Sequence, residues 1–393
     1  MKSRAKGFVY LFLFSAFVPL GLLLAALWVY DPLQIFHAPW GRPATLHENM
    51  RLQAIGVIKT QPFDSVILGT SILENSSAVE ASNKLGGSFV NLSISAGDFF
   101  ERSLMLDYLF RNRKISRLIY SVDFIYLNQR KGYWFYPLQT FDYLYDKNPL
   151  NDFRVYLNTH YLGCLRHWSS SADCVGRQAE LDRPNAWFSN PEYASRFGGL
   201  EKWCQARDNH QIRDVREKLA EAVGHISRGE IERPTHREID DLTGLAINYI
   251  EDNLLVHVER HPETEFYLVL PPYSRAKFAI WYQEKTGYAA VHAAVVRHLA
   301  AKTGQLANLH LFGYEDQNFL DDIAQYKDMD HFQPALNSVF IESIKHGTNA
   351  IGPANVEAYL DEARRRGVAF RLDDLLKRLD NCDIAQPDQR PGA

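Results

Sequence analysis

Asp64-Ser-Val-Ile-Leu-Gly-Thr-Ser71 is the stretch from which the fold of this chain can be read. Val66, Ile67 and Leu68 form a short apolar, partly β-branched run, the pattern of a strand buried on both faces. The run stops at Gly69-Thr70, and residues 72–81 read as a helix. A strand that enters a sharp glycine turn and then a helix lifts the turn residue, Ser71, above the sheet edge. Open α/β sheets hold ligands and nucleophiles at that edge. Ser is also a preferred N-cap, so taken alone the same Gly-Thr-Ser reads first as an ordinary helix cap. The rest of the chain has to distinguish the two.

Working outward, similar short apolar runs lie at 88–92, 117–122, 265–270 and 309–312. Helical patterns separate them at 46–59 (before the first strand), from 95 onward, 239–260, 289–302 and 334–345. Five strands interleaved with helices predict an α/β fold, a three-layer αβα sandwich around a five-stranded parallel sheet. Right-handed crossovers bring all the strand ends to one edge. The alternation lapses after Asp123. Residues 124–238 are rich in Tyr, Trp and Phe and too long for a loop, so they predict an inserted, mainly helical subdomain. The α/β domain is then 46–123 plus 239–346, preceded by a linker over 31–45. Residues 347–393 read as C-terminal helices (356–366 and 372–379) and a Pro/Gln-rich disordered tail.

The first thirty residues differ in kind. Lys2, Arg4 and Lys6 precede 7–30, which carries no charge. As a helix that run is ~36 Å long, enough for a ~30 Å hydrocarbon core. Trp28 and Tyr30 fall where an interfacial aromatic belt belongs. A cleaved signal is the rival reading, but Ala25-Ala-Leu-Trp28 offers no clean small-x-small site. The expectation is a single-pass anchor in the inner (cytoplasmic) membrane, with the amino end in the cytoplasm and the main domain periplasmic. A net charge of −4 over 393 residues, with no basic excess and no zinc-finger, RNP or basic-region signature, gives no sign of a nucleic-acid partner, and none is expected. Of four cysteines, Cys164, Cys174 and Cys204 lie close together, and in an oxidising space two of them are expected to bridge. Their spacing makes no zinc site, and no metal or cofactor is expected.

A serine hydroxyl needs an adjacent base, itself oriented by a third group. Asp328-Met-Asp-His331 follows the last strand and precedes the last sheet helix, so it emerges on the same edge as Ser71. The three-residue spacing lets a carboxylate hold one imidazole nitrogen while the other faces Ser71. Asp330 is a competing partner. Asp328, Asp330 and His331 as metal ligands are a weaker alternative, lacking a second ligand cluster.

With these blocks in place, the sequence resembles the SGNH hydrolase superfamily. The similarity is to its membrane-anchored branch acting on cell-envelope polymers, such as alginate O-acetylation and DltD-like proteins. Leu68-Gly-Thr-Ser71 matches the nucleophile block and Asp328-Met-Asp-His331 the Asp-x-x-His block. Asn91-Leu-Ser-Ile-Ser-Ala-Gly-Asp98 matches the block that carries the oxyanion glycine. The resemblance implies Ser71, Asp328 and His331 as catalytic residues, with the amides of Ser71 and Gly97 as oxyanion donors. It implies a serine esterase or O-acyltransferase that acts on an extracytoplasmic polysaccharide or cell-wall polymer through an acyl-serine, supplied in the transfer case by a membrane acyl-donor protein. The chain departs from the pattern at Tyr120-Ser-Val-Asp123, where the family's Asn is missing. That departure favours a second reading, a non-catalytic glycan- or partner-binding module of the same fold. Tyr133-Trp-Phe-Tyr136 is the candidate sugar-contact run, with Tyr133, Trp134 and Tyr136 as substrate-binding residues, because consecutive aromatics cannot all face one core.

Overall fold

The computed structural model describes residues 2–133, 135–177 and 180–383. Six strands form one sheet: β1 (Ser65–Leu68), β2 (Phe89–Asn91), β3 (Arg117–Ser121), β4 (Glu265–Val269), β5 (Leu309–Phe312) and β6 (Ala350–Ile351). Their order is β2-β1-β3-β4-β5-β6. All neighbours are parallel except β6, which pairs antiparallel with β5, Leu311 opposite Ile351. The expected five-stranded, all-parallel sheet is thus corrected to six strands with one antiparallel edge. A two-residue strand is too short to leave any periodicity in a sequence.

Side chains alternate across the strands, and each face builds its own core. Val66, Leu68, Leu118, Tyr120, Phe266, Leu268, Leu309 and Leu311 point to one layer. Ile67, Phe89, Ile119, Val269 and Phe312 point to the other. The first layer receives α2 (Met50–Thr60) and, after β2, α4 (Phe99–Asn112). Asp98 starts α4 with a reciprocal capping box to Glu101. The second layer receives α3 (Ala78–Leu85) and the helices Arg275–Gln283 and Pro334–His346.

Residues 124–238 contribute no strand to the sheet among the described residues. They run as short 3₁₀ turns and helices, the longest being His210–Arg228. Their apolar side chains divide between the two layers: Tyr126, Tyr145 and Tyr156 enter the first core, Trp203, Ile212 and Leu219 the second. Helix Val356–Ala369 supports the Arg275–Gln283 helix through Gly367, where an added Cβ would meet Tyr282 at 2.4 Å. The helix Leu372–Asp380 lies in the second core. The segment after residue 346, expected to lie outside the α/β domain, therefore completes it. Cys164 bridges Cys174, and Cys204 bridges Cys382. The second bridge joins the insertion to the last helix.

At the amino end, α1 (Lys2–Tyr30) is long and apolar enough to be a membrane span or a signal segment. Its last turn belongs to the domain. Leu27 lies in the main core, and Tyr30 packs on the Cys164–Cys174 bridge and donates its hydroxyl to the Ser169 carbonyl at 2.5 Å. Asp31, fully buried, accepts from the amides of Ile35, Phe36 and His37 and from the Tyr156 hydroxyl. The helix and both disulfides fit an extracytoplasmic domain.

Candidate active site

The strand order reverses at β1: the chain passes from β1 outward to β2, then returns to β3 on β1's other side. A doubly wound sheet opens a crevice at that switch point, outside the carboxyl ends of its strands. Ser71 stands there, three residues beyond β1. Gly69 makes the exit possible, since a Cβ on it would meet the Ser121 hydroxyl at 2.5 Å and Leu73 at 2.8 Å.

The expected helix over 72–81 is corrected. Residues 71–76 form a tight turn, and α3 begins only at Ala78, capped by Ser77. Side chains from three directions hold this turn by its carbonyls. Asn337 donates to Ile72 O at 2.9 Å, Asn91 to Leu73 O and Ser76 O at 2.8 and 2.9 Å, and Trp187 Nε1 to Ser71 O at 2.7 Å. Thr70 is braced from below by its hydroxyl, 2.8 Å from Asp123 Oδ1. Asp123 is buried, takes a second bond from Ser121 Oγ at 2.6 Å and lies 3.4 Å from Arg102. Burial raises its carboxyl despite that guanidinium and those bonds. The β3 terminus thus places a brace for the Ser71 turn where the resemblance implied an Asn.

Ser71 Oγ is 3.0 Å from His331 Nε2, and His331 Nδ1 is 3.0 Å from each oxygen of Asp328. Asp328 also accepts the amides of Asp330 and His331 at 2.9 and 2.8 Å and the Lys327 ammonium at 2.9 Å. Burial alone would raise this carboxyl. His331 and Lys327 outweigh it, by charge and hydrogen bond, and hold it well below the usual carboxylate range. An ionised Asp328 can only accept, so His331 Nδ1 carries a hydrogen, and in the neutral imidazole Nε2 is then the nitrogen with a lone pair toward the Ser71 hydroxyl. Asp330 is turned away to Lys277 at 2.8 Å. Both carboxylates of the loop therefore face a lysine, which argues against Asp328, Asp330 and His331 as a cation site. The carboxylate–imidazole group Glu221, His225 and Glu284 lies elsewhere and is met by Lys285, 2.9 Å from Glu284.

The Asp328–His331 loop is fixed at both ends. Tyr326 bridges to Phe332, Ser274 N donates to Met329 O, and Trp203 Nε1 donates to Tyr326 O. Trp187 presents an edge-on ring to His331 at 5.5 Å, and Lys327 sits 5.0 Å over the Trp187 ring. Burial lowers the Lys327 ammonium, against the pull of Asp328.

Gly97 lies in the loop beside the β1 exit, where Ile94 N bonds Gly69 O. Its own amide donates to Ile94 O at 2.9 Å, closing a turn in which a Cβ would strike the Ile94 side chain at 2.2 Å. That glycine is required by the turn, and in this conformation its N–H is already engaged. Tyr136 is half-buried over the Arg51 guanidinium at 4.5 Å, and Tyr133 lies under Arg130 at 4.9 Å. Trp134 lies outside the described residues. Tyr136 shares a cleft of ≈ 750 Å³ with Glu74, Arg177, Arg183, Trp187 and Tyr193. This places one of the expected sugar-contact residues in the same cleft as Trp187.

Trp187, Lys327 and Glu74 were not singled out from the sequence. Trp187 is 116 residues from the serine it bonds, and no local pattern marks such a contact. Lys327, adjacent to Asp328, was the one with a visible signal. No protein-family model, curated protein or solved structure matches this chain. The functional reading therefore rests on the residues above.

Proposed function

We propose that the chain is a membrane-anchored, SGNH-like serine esterase or O-acyltransferase acting on an extracytoplasmic polysaccharide. The observation that carries this reading is the chain of hydrogen bonds from Ser71 through His331 to an ionised Asp328 at the sheet's switch point. In the proposed reaction His331 Nε2 takes the hydroxyl proton as Ser71 Oγ attacks an ester carbonyl. The alcohol leaves with that proton, and an acyl-Ser71 remains. Water or a sugar hydroxyl, deprotonated by the same nitrogen, then takes the acyl group. Asp328 fixes the tautomer and stabilises the imidazolium that forms transiently within each of the two steps.

The apolar helix supports the anchored form. A signal-type cut near residue 30 would remove Leu27 and Tyr30 from the cores they help to build. An anchored envelope enzyme of this kind would draw on a membrane acyl-donor protein for transfer.

The engaged Gly97 amide and Asp123 at the β3 end favour a second reading, a binding module without turnover. Hydrolysis of 4-nitrophenyl acetate by the full-length protein separates the two. Turnover lost in Ser71→Ala and in His331→Ala supports the enzyme. Wild-type rates equal to those of Ser71→Ala, with glycan binding intact, replace it with the module.

A further inference from the structure

The turn between Ser71 and α3 carries an acidic group that the serine chemistry leaves unused. Glu74 is 5% exposed and stands in the wall of the ≈ 750 Å³ cleft. Trp187 lines the same cleft while touching both Ser71 and His331. The cation facing Glu74 is Arg51, but Arg51 gives Nε and Nη2 to the two oxygens of Glu101, each at 2.9 Å. One guanidinium therefore stands between two buried carboxyls and is bound bidentately by the other one. From the β2–α4 loop the Ser95 amide donates to Glu74.

The other charged groups on the cleft are Glu48, Arg177, Glu180, Asp182 and Arg183. Asp182 is tied to Ser77 Oγ and the Val79 amide, with Arg183 at 3.7 Å from its second oxygen. None of these gives Glu74 a counter-ion of its own. Burial, opposed more weakly by Arg51 and the Ser95 amide, pushes its carboxyl up to about 8. At neutral pH it holds its proton. A neutral carboxylic acid donates one O–H, whereas the ionised form only accepts.

The cleft's volume is that of small-molecule sites. Its lining combines the rings of Tyr136, Trp187 and Tyr193 with polar side chains such as Asn190. Apolar ring faces beside hydrogen-bonding groups match the two kinds of surface on a sugar. We propose that this cleft binds a saccharide unit and that Glu74 recognises it by donating its carboxylic O–H to an acceptor oxygen of that sugar or its O-acyl group. The assignment rests on the reading of Ser71 as the acyl-carrying residue and deepens it; the link between cleft and serine is Trp187, which lines the one and bonds the backbone carbonyl of the other.

The test uses full-length Ser71→Ala protein, in which an ester probe cannot be consumed through the serine. Its affinity for O-acetylated cellotriose is measured by calorimetry from pH 6 to pH 9. The expected Kd is constant to about pH 7 and weakens about tenfold by pH 9, one unit above the carboxyl's value. In Ser71→Ala/Glu74→Gln, which keeps the shape and a donor but cannot ionise, the profile is flat. Absence of binding, or an alkaline loss of equal size in both proteins, overturns the proposal. A Kd of the first protein that does not change across this range overturns it without the second variant. Labelling of Ser71 by a fluorophosphonate reports on the serine independently, so either assignment can fail while the other stands.

Discussion

Asp328 gives His331 its orientation, and its ionisation sets the lower pH limit of that arrangement. Its folded carboxyl lies well below the usual range. The stability it contributes is therefore present above that range and is lost as pH falls toward the depressed value. Asp328→Asn removes the charge, frees the imidazole to adopt the other tautomer, and leaves the Lys327 ammonium buried without its partner. The expected result is a fall in kcat on 4-nitrophenyl acetate of roughly 10⁴-fold, the scale of a wrong-tautomer histidine. Trp187→Phe keeps an aromatic edge toward His331 and loses the bond to Ser71 O. One such bond is worth about 1 kcal/mol, so kcat/KM should fall about fivefold with the fold intact. Glu74 has the opposite sign to Asp328. Its folded value is about 8 against an ordinary 4.5, so wild-type stability is fullest below 4.5 and declines as pH rises through about 8. Glu74→Gln should be the more stable protein above pH 8, by on the order of 4 kcal/mol, and no more stable below pH 4.5. Paired thermal melts across that range check it; equal melting differences at both ends would contradict the buried acid. The sequence offered Ser71, Asp328 and His331 because each stands at a fixed place after a strand. It could not offer Trp187 or Glu74, whose roles depend on how a distant insertion closes over the turn.

At the scale of elements, the strands between 65 and 312 were legible because each is a compact apolar run with helices on either side. β6 was not, since Ala350–Ile351 is paired by β5 rather than by any propensity of its own. The turn at 71–76 was mistaken for helix for a related reason. Asn91, Asn337 and Trp187 take its carbonyls in place of a helical ladder. The disulfides show the same division between local and distant. Cys164–Cys174 spans 10 residues and lies within the expected group, while Cys204–Cys382 spans 178 and brings in a cysteine from outside it. Mass mapping of exported protein should find these two pairs. Closing a longer loop removes more unfolded-state entropy, so Cys204→Ser/Cys382→Ser should cost more than Cys164→Ser/Cys174→Ser, within about 2–5 kcal/mol. Equal denaturant midpoints for the two double variants would show that the last helix is held by its core contacts alone.

The molecule as a whole is an α/β body whose insertion and C-terminal segment both serve the sheet. The insertion supplies Tyr126 and Trp203 to opposite cores and Trp187 to the site. Beneath it, Tyr30 and Asp31 clamp the end of the apolar helix to the domain. The mature protein should accordingly retain residues 1–30. A mature amino terminus near residue 30 would contradict the anchor. The central claim, that Ser71 is an activated nucleophile, is met most directly by covalent labelling. A fluorophosphonate probe is added to full-length wild-type, Ser71→Ala and His331→Ala proteins, and the adduct is located by mass spectrometry. The expected result is one adduct on Ser71 in the wild type and none in either variant. An unlabelled wild type, or labelling of equal extent in His331→Ala, would contradict it.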